Sequence, residues 1–235
     1  MFLTERIISH RGIYDNEKTF ENSIEAIRKA VKKGYIVEID IHLTKDNKLV
    51  VFHDYNTKRI TKEDLVIENH TYKEINNQKI IHIPLLEEIL KIVNGKVPLL
   101  IEIKQNRKVG KLEQELVNTL NNYKGEYAIQ SFNVKTIYWF KKHYPNILRG
   151  QLSSNHQKAK IFFIKKYFLK KMLFNFLTKP NFISYNYKEL TIKEIKKLKK
   201  KYIVLGWTIK TKTEYNKYIK YYDNLICEQF INNKL

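Results

Sequence analysis

The chain has 235 residues and carries 44 Lys and Arg against 24 Asp and Glu, a formal net charge of +20 at pH 7. Its single cysteine, Cys227, excludes an intramolecular disulfide and favours a reducing compartment. No linker rich in Pro, Gly or Ser divides the sequence, so we predict one domain over residues 1–235.

Apolar segments alternate with helical stretches along the chain. Eight strands are predicted, at Arg6 to His10, Val37 to Ile41, Leu99 to Lys104, Tyr127 to Phe132, Leu148 to Leu152, Phe182 to Tyr187, Ile203 to Ile209 and Leu225 to Glu228. A ninth, Leu49 to Phe52, follows the second across a short turn and is expected to return antiparallel, as a hairpin outside the eight. Strands alternating with helices in this number predict an α/β fold, a single (β/α)8 TIM barrel with an extra β-hairpin after strand 2.

Helical periodicity is clearest in two of the intervening segments. Ser23 to Lys33 repeats apolar residues at helical spacing, and so does Thr191 to Lys201. In the second segment, Ile192, Ile195 and Leu198 are expected to face inward. The lysines of both helices would then coat the outside of the barrel.

Two acids share one face of the second predicted strand. Side chains alternate along a strand, so Glu38 and Asp40 point one way and the aliphatic residues around them point the other. At about 4 Å and an effective dielectric of about 20, two like charges repel by about 4 kcal/mol, so such a pair shares a proton or a cation. Glu102 stands in a similar apolar run, where a carboxylate is costly without a partner. Three oxygen donors without cysteine favour Mg²⁺ or Ca²⁺ over zinc.

Histidines close two of the predicted strands. His10 and His53 each follow an apolar run, at the strand end where barrel enzymes keep their chemistry. Two imidazoles can supply both the base and the acid that phosphodiester cleavage needs. Their neighbours have matching uses, because Arg11 can hold a phosphate through its fork, and Asp54 can either orient an imidazole or cap the next segment. The remaining histidines are interpreted as structural: His42, His70, His82, His143 and His156.

A series of short motifs extends along almost the whole chain. They are His10-Arg11-Gly12, Glu21-Asn22-Ser23, Glu38-Ile39-Asp40, His53-Asp54, Arg59, Thr61, residues 83–88, Glu102-Ile103-Lys104, Gln130-Ser131-Phe132 and Trp207-Thr208. In this order and number they resemble the glycerophosphodiester phosphodiesterase family, within the phospholipase C-like phosphodiesterase barrels. The resemblance implies hydrolysis of small-molecule glycerophosphodiesters to sn-glycerol 3-phosphate and an alcohol, either by direct water attack or through a cyclic phosphate.

The resemblance also implies a role for each matching residue. The ligands of one divalent cation, Mg²⁺ or Ca²⁺, would be Glu38, Asp40 and Glu102. The general acid and base, in an order left open, would be His10 and His53. Phosphate and substrate would be held by Arg11, Lys104, Asn22 and Trp207, of which Trp207 also fits a core tryptophan.

The chain departs from the family pattern at four places. Phe20 replaces the usual proline, and Asn47 replaces the glycine of the hairpin turn, where Asn can still adopt a positive φ. The last strand ends in Cys227-Glu228-Gln229-Phe230 instead of Thr-Asp or Thr-Asn followed by proline, so the substrate pocket there is expected to differ. The segment between His53 and Pro84 is too short for an inserted domain, which predicts a minimal barrel.

Two alternatives stay open at this stage. A lysophospholipase D would use the same acids and histidines on a substrate that keeps its acyl chain. Its support is the stretch Lys158 to Lys179, which is rich in Phe and Lys. The longest apolar run in this stretch is too short to cross a bilayer, but the stretch is a candidate for weak contact with a membrane surface. The other alternative is a non-catalytic barrel that binds phosphate or nucleic acid. Its support is the altered end of the last strand.

The positive charge by itself does not identify a partner. Basic residues are spread along the chain and no nucleic-acid motif is present, so no nucleic-acid partner is expected. The sequence enters its first strand within about six residues, without room for a secretion signal, which predicts a cytoplasmic protein. The oligomeric state is not indicated.

Overall fold

The computed structural model describes residues 1–77, 80–104, 108–155, 167 and 169–228. Its strands are β1 (Ile8–His10), β2 (Ile36–Leu43), β3 (Leu49–Val51), β4 (Leu99–Ile103), β5 (Tyr127–Ser131), β6 (Leu148–Ser153), β7 (Phe182–Asn186), β8 (Ile203–Ile209) and β9 (Asn224–Cys227). The α-helices of the described residues are α1 (Ile24–Lys32), α2 (Lys58–Thr61), α3 (Tyr72–Asn76), α4 (Leu86–Val93), α5 (Lys111–Leu120), α6 (Val134–His143), α7 (Asn175–Thr178), α8 (Ile192–Lys199) and α9 (Lys212–Tyr218). Short 3-10 helices lie at Phe2–Thr4 and Ile67–Asn69.

Eight of the strands form a closed parallel ring. Around the ring they follow the order β1, β2, β4, β5, β6, β7, β8, β9, and β1 pairs with both β2 and β9. The strand β3 pairs antiparallel with β2 and lies outside the ring. The predicted TIM barrel with its extra hairpin is therefore confirmed, and Asn47 in the hairpin turn has the expected positive φ, 62°.

The alternation of side chains along each strand divides the core into two layers. Outward-facing Val37, Ile39 and Ile41 of β2 belong to the cluster that joins the ring to its helices. Inward-facing Ile36 belongs to a second cluster inside the ring, with Ile8, Leu100, Ala128, Phe182, Leu205 and Ile226. The inner apolar layer fills the amino end of the barrel, so the polar residues further along the same faces gather at its carboxyl end.

The two helices with the clearest periodicity form where predicted. Ser23 caps α1 by accepting a hydrogen bond from the amide of Ala26, and Thr191 forms a capping box at the start of α8. One detail of the prediction is wrong, because Ile192 is 44% exposed while Ile195 is buried. Side chains three residues apart on a helix point in directions about 60° apart. Ile195 lies at the centre of the buried face of the helix, and Ile192 lies at its edge.

The turn after β1 depends on a glycine. Gly12 has φ of 82°, and a Cβ built there would lie 2.7 Å from the backbone of Ala26 in α1. We expect Gly12→Ala to lower the free energy of unfolding by about 2–4 kcal/mol, because it adds both backbone strain and a clash with main chain. Urea titration measures the change. Gly34→Ala is the matched control: its φ is 71° but nothing lies within 4 Å, so a cost near 1 kcal/mol is expected. Equal losses in the two variants would contradict the packing argument.

Candidate active site

Three buried carboxylates meet at the carboxyl end of the barrel. Glu38 and Asp40 lie on β2, and Asp40 is in register with Glu102 on the neighbouring strand β4. One oxygen from each of the three lies within 4.8 Å of the others. The cluster follows directly from strand alternation, since all three side chains point into the ring.

Cations and amides of the chain surround these acids. The ammonium Nζ of Lys104 lies 2.5 Å from Oε1 of Glu102 and 3.1 Å from Oδ1 of Asp40. Nε of Arg11 lies 3.1 Å from Oδ2 of Asp40, and the side-chain amide of Asn22 donates to the same oxygen at 2.9 Å. The backbone amide of Arg11 donates to Glu38 at 3.2 Å. Two cationic side chains thus sit against three acids.

The three acids differ in how far neighbouring positive charges offset the cost of burying their negative charge. Burial raises the pKa of Glu38, and the negative charges of Asp40 and Glu102 raise it further. Burial is also the main reason that the pKa of Glu102 is raised. For Asp40, burial acts in the same direction, but Lys104 and Arg11 outweigh it and hold the pKa below its usual value. Repulsion within the cluster is what an added cation relieves.

The donor set fits a hard divalent cation. All three candidate ligands are carboxylates, which suit Mg²⁺ and Ca²⁺. Although Lys104 is close to Oδ1 of Asp40, that buried oxygen makes no hydrogen bond within the described part of the chain. It is therefore available as a ligand.

His10 is held by a carboxylate from the other end of the chain. Its Nδ1 lies 2.9 Å from Oε2 of Glu228, which also accepts from the hydroxyl of Tyr14 at 2.8 Å. The second oxygen of Glu228 pairs with Nζ of Lys210 at 2.8 Å. Burial, and then the charge of Arg11, lower the pKa of His10 to about 4, so the imidazole is neutral at physiological pH. An ionised carboxylate only accepts, so Nδ1 donates and Nε2 is left for chemistry.

His53 has the same kind of partner. Its Nδ1 lies 2.5 Å from Oδ1 of Asp54, and Nε of Arg59 donates to the other oxygen of Asp54 at 2.6 Å. Arg59 also donates through Nη2 to Glu21 at 2.6 Å, and Arg11 donates through Nη1 to the same oxygen at 2.8 Å. Glu21 thus joins the arginine beside the acids to the arginine behind His53.

Seven of the nine predicted site residues line one cleft of about 370 Å³, part of it open to solvent. Its walls include His10, Arg11, Glu38, His53, Glu102, Lys104 and Trp207. Asp40 and Asn22 lie behind these: the amide of Asn22 donates to Oδ2 of Asp40, and Arg11 is ion-paired with the same oxygen. The ring of Trp207 packs edge-on against Phe132, with centroids 5.7 Å apart. The structure brings all the predicted site residues together.

Sequence reasoning misses Glu228, which holds His10, and the two residues that bond to Glu228. Glu228 is interpreted only as a departure from the family pattern, and Tyr14 and Lys210, which bond to it, carry no motif. Its signal is nevertheless visible, because Glu228 directly follows an apolar strand, as His10 and His53 do. Gln229 and Phe230, the rest of that departure, lie outside the described residues.

His42, interpreted as structural, is buried at the end of β2 with Nε2 3.3 Å from the carbonyl oxygen of His53. Burial lowers its pKa from 6.5 to about 4. In the unfolded chain this imidazole is protonated below about pH 6.5, whereas in the folded chain it is protonated only below about pH 4. The free energy of unfolding is therefore unaffected by His42 above pH 6.5 and decreases as the pH falls below that value.

We therefore expect a smaller acid dependence of stability in His42→Gln. Between pH 6 and pH 5, the wild type should lose about 1 kcal/mol more of its free energy of unfolding than this variant does. Urea titrations at the two pH values measure the difference. His143→Gln, at an exposed position, should behave as the wild type does. Equal slopes for the wild type and His42→Gln would show that His42 is not the group responsible.

Two imidazoles with carboxylate partners lie beside a candidate site for a divalent cation at the carboxyl end of a parallel barrel, an arrangement that suits the hydrolysis of a phosphoric diester. The family model described as "Glycerophosphoryl diester phosphodiesterase family" matches residues 10–233. The chain belongs to this family.

Individual relatives agree with the family match. The Bacillus subtilis protein YhdW, provisionally named as a glycerophosphodiester phosphodiesterase, is 32% identical over 176 residues, 65% of this chain and 71% of the relative. Human lysophospholipase D GDPD1 is 35% identical over 138 residues, 51% of this chain and 43% of the relative. A phosphodiesterase from Oleispira antarctica, solved with the product sn-glycerol 3-phosphate, is 22% identical with a TM-score of 0.77 and covers 94% of this chain and 92% of its own.

Within the residues that the structure describes, no helix is both long and apolar enough to cross a bilayer.

Proposed function

We propose that the chain hydrolyses glycerophosphodiesters to sn-glycerol 3-phosphate and an alcohol, with His10 and His53 as the acid–base pair. The observation that carries this proposal is the pairing of each imidazole with a carboxylate, Glu228 for His10 and Asp54 for His53, in the cleft that contains the three acids. A carboxylate at Nδ1 fixes the tautomer and stabilises the imidazolium that forms during proton transfer.

The two imidazoles divide the proton transfers between them. One takes the proton of the attacking oxygen, which belongs to water or to the neighbouring glycerol hydroxyl, as that oxygen bonds to phosphorus. The other gives its proton to the alcohol oxygen as its bond to phosphorus breaks. Either route consumes one base and one acid. A cyclic phosphate formed by the glycerol hydroxyl would then be opened by water with the two roles exchanged.

The charged residues of the cleft would supply the electrostatic stabilisation of the transition state. Glu38, Asp40 and Glu102 would hold one Mg²⁺ or Ca²⁺, which when bound polarises the phosphoryl oxygens and stabilises their developing charge. Arg11 and Lys104 face the same cleft and would bind the phosphate. Asn22 would fix the orientation of Asp40 through its 2.9 Å hydrogen bond. Trp207, on the cleft wall, would pack against the glycerol carbons.

A coupled assay for glycerol 3-phosphate release tests the proposal. Glycerophosphocholine, glycerophosphoethanolamine and glycerophosphoglycerol are supplied as substrates to untreated enzyme, to enzyme with EDTA, and after restoring Mg²⁺, Ca²⁺ or Mn²⁺. We expect release that EDTA stops and at least one of these ions restores. Hydrolysis that persists unchanged in EDTA would remove the cation from the mechanism, and absence of any release would remove the substrate class.

Glu228 provides a test of the imidazole at His10 that leaves both proposed catalytic histidines in place. In Glu228→Gln the side chain keeps its shape, but the ionised partner of His10 is lost. We expect kcat to fall by about 10- to 100-fold while KM changes little, because the carboxylate stabilises the protonated imidazole. The pH at which the imidazole titrates in the kcat profile should also move down. A fall in kcat without any change in the pH profile would contradict a role through His10.

A lysophospholipid substrate is the second candidate. Around the segment that precedes β7, four large apolar side chains are exposed, with Phe176 at 72%: Tyr167, Leu173, Phe176 and Leu177. The rest of the predicted membrane contact at 158–179, residues 158–166 and 168, lies outside the described residues. Comparing kcat/KM for glycerophosphocholine and lysophosphatidylcholine separates the candidates. Faster turnover of the lysolipid, reduced by Phe176→Ser but not by Tyr138→Ser, another exposed aromatic, would favour the second.

A further inference from the structure

A second cavity adjoins the cleft beyond Lys104. It encloses about 840 Å³, including its open mouth, and Lys104 lies on the walls of both spaces. Three further lysines line it, Lys45, Lys108 and Lys111, together with one acid among the described lining residues, Glu68. The larger of the two spaces is therefore basic, and it is outside the catalytic cleft.

The lysines reach this cavity from separate parts of the fold. Lys45 lies in the turn between β2 and β3, where its backbone amide donates to the carbonyl of His70 at 2.9 Å. Lys111 is the first residue of α5. Lys104 is already paired with Asp40 and Glu102, so its charge is balanced inside the cleft. Lys45 and Lys111, both exposed, instead line the second cavity.

The order of strands gives the direction in which a substrate would extend. Trp207 lies on β8, and β4, which leads to Lys104, is four strands away in either direction around the ring. The glycerol wall proposed for Trp207 and the basic cavity are therefore on opposite sides of the cleft. A diester with its phosphate over the acids and its glycerol against Trp207 directs its alcohol group toward Lys45 and Lys111.

We propose that this cavity binds a second phosphate group carried by the alcohol half of the substrate, so that phosphorylated head groups are preferred. The inference rests on the proposed function and adds a substrate class to it. A phosphate monoester carries nearly two negative charges at pH 7, which matches lysines arriving from two elements. A cationic or neutral head group gains nothing from them.

The test compares two substrates that differ only in the second phosphate, glycerophosphoinositol and glycerophosphoinositol 4-phosphate. We expect kcat/KM of the wild type to be at least about fivefold higher for the phosphorylated diester, since each exposed ion pair contributes a factor of about two to five. The double variant Lys45→Gln/Lys111→Gln should lose most of that preference and change the rate on glycerophosphoinositol by less than about twofold. Raising the salt concentration should reduce the preference in the wild type.

Lys32→Gln/Lys96→Gln is the matched control, because it removes the same charge at exposed positions before β2 and β4, at the amino end of the barrel. It should leave the preference unchanged. Calorimetric binding of both diesters accompanies the kinetics. If neither is hydrolysed but the phosphorylated one binds more tightly through Lys45 and Lys111, the proposed function fails, while the binding of a phosphate group in this cavity is supported. Equal kcat/KM and equal binding of the two diesters by the wild type, or equal effects of the two double variants, would overturn the inference.

Discussion

Glu38→Gln is expected to reduce phosphodiesterase activity by at least about 10³-fold while the fold stays intact. The change removes one negative charge and one ligand oxygen from a cluster of three acids, and several kcal/mol of transition-state stabilisation depend on the bound cation. Glutamine keeps the shape of the side chain and an oxygen that can accept from the amide of Arg11. Loss of repulsion from Asp40 and Glu102 offsets the cost of the change, so the urea midpoint should stay the same or rise.

The measurement combines kinetics with cation binding. The rate of glycerol 3-phosphate release gives the loss of activity, and calorimetric titration with Mg²⁺, Ca²⁺ or Mn²⁺ should show weaker binding than in the wild type. Glu126→Gln removes an exposed carboxylate next to the amino end of β5 and should change neither quantity. Wild-type activity in Glu38→Gln, or unchanged affinity for the cation, would remove Glu38 from the site.

The second large effect is expected from the two histidines. His10→Ala and His53→Ala should each reduce kcat by about 10²- to 10⁴-fold, the usual contribution of a positioned acid or base. The fold should survive the loss of His10, because Glu228 keeps its bonds to Tyr14 and Lys210. His143→Ala, at an exposed helix end, is the control and should be fully active.

A substrate with a good leaving group distinguishes the acid from the base. Glycerophospho-4-nitrophenol releases a phenolate that needs no protonation, so the variant that lacks the general acid should retain most of the wild-type rate on it. The variant that lacks the base should stay slow on both substrates. If both variants recover on the nitrophenyl substrate, neither imidazole is the base. If both remain fully active on glycerophosphocholine, the acid–base pair lies elsewhere.

The strands and the acidic cluster could be predicted from the sequence because both depend on local alternation. Glu38 and Asp40 stand two apart on one buried strand, and the strand order of the predicted barrel makes the strand of Glu102 its neighbour. The alternation also puts Lys104 on the face of Glu102, so their ion pair follows from spacing, whereas the family resemblance implies only a phosphate contact for Lys104. One domain, a cytoplasmic location and the absence of a nucleic-acid partner stay predictions.

Glu228 could not be assigned in the same way, because its role depends on a contact between residues 218 positions apart. The predicted barrel makes β9 a neighbour of β1, but no local pattern at Cys227-Glu228 gives the register that brings this carboxylate to Nδ1 of His10. The exposure of Ile192 is a smaller case of the same kind. Its position in the helix is predicted by periodicity, but how far the packed surface of the barrel extends over that turn is decided by tertiary structure.

The pairing of β1 with β9 bears on when activity can arise during synthesis. A nascent chain that has emerged only as far as β8 has both histidines and all three acids. It lacks the last strand of the barrel and the carboxylate that holds His10. Ribosome-bound fragments ending before Asn224 should therefore be catalytically silent, and hydrolysis should begin only once the final strand has been translated and docked.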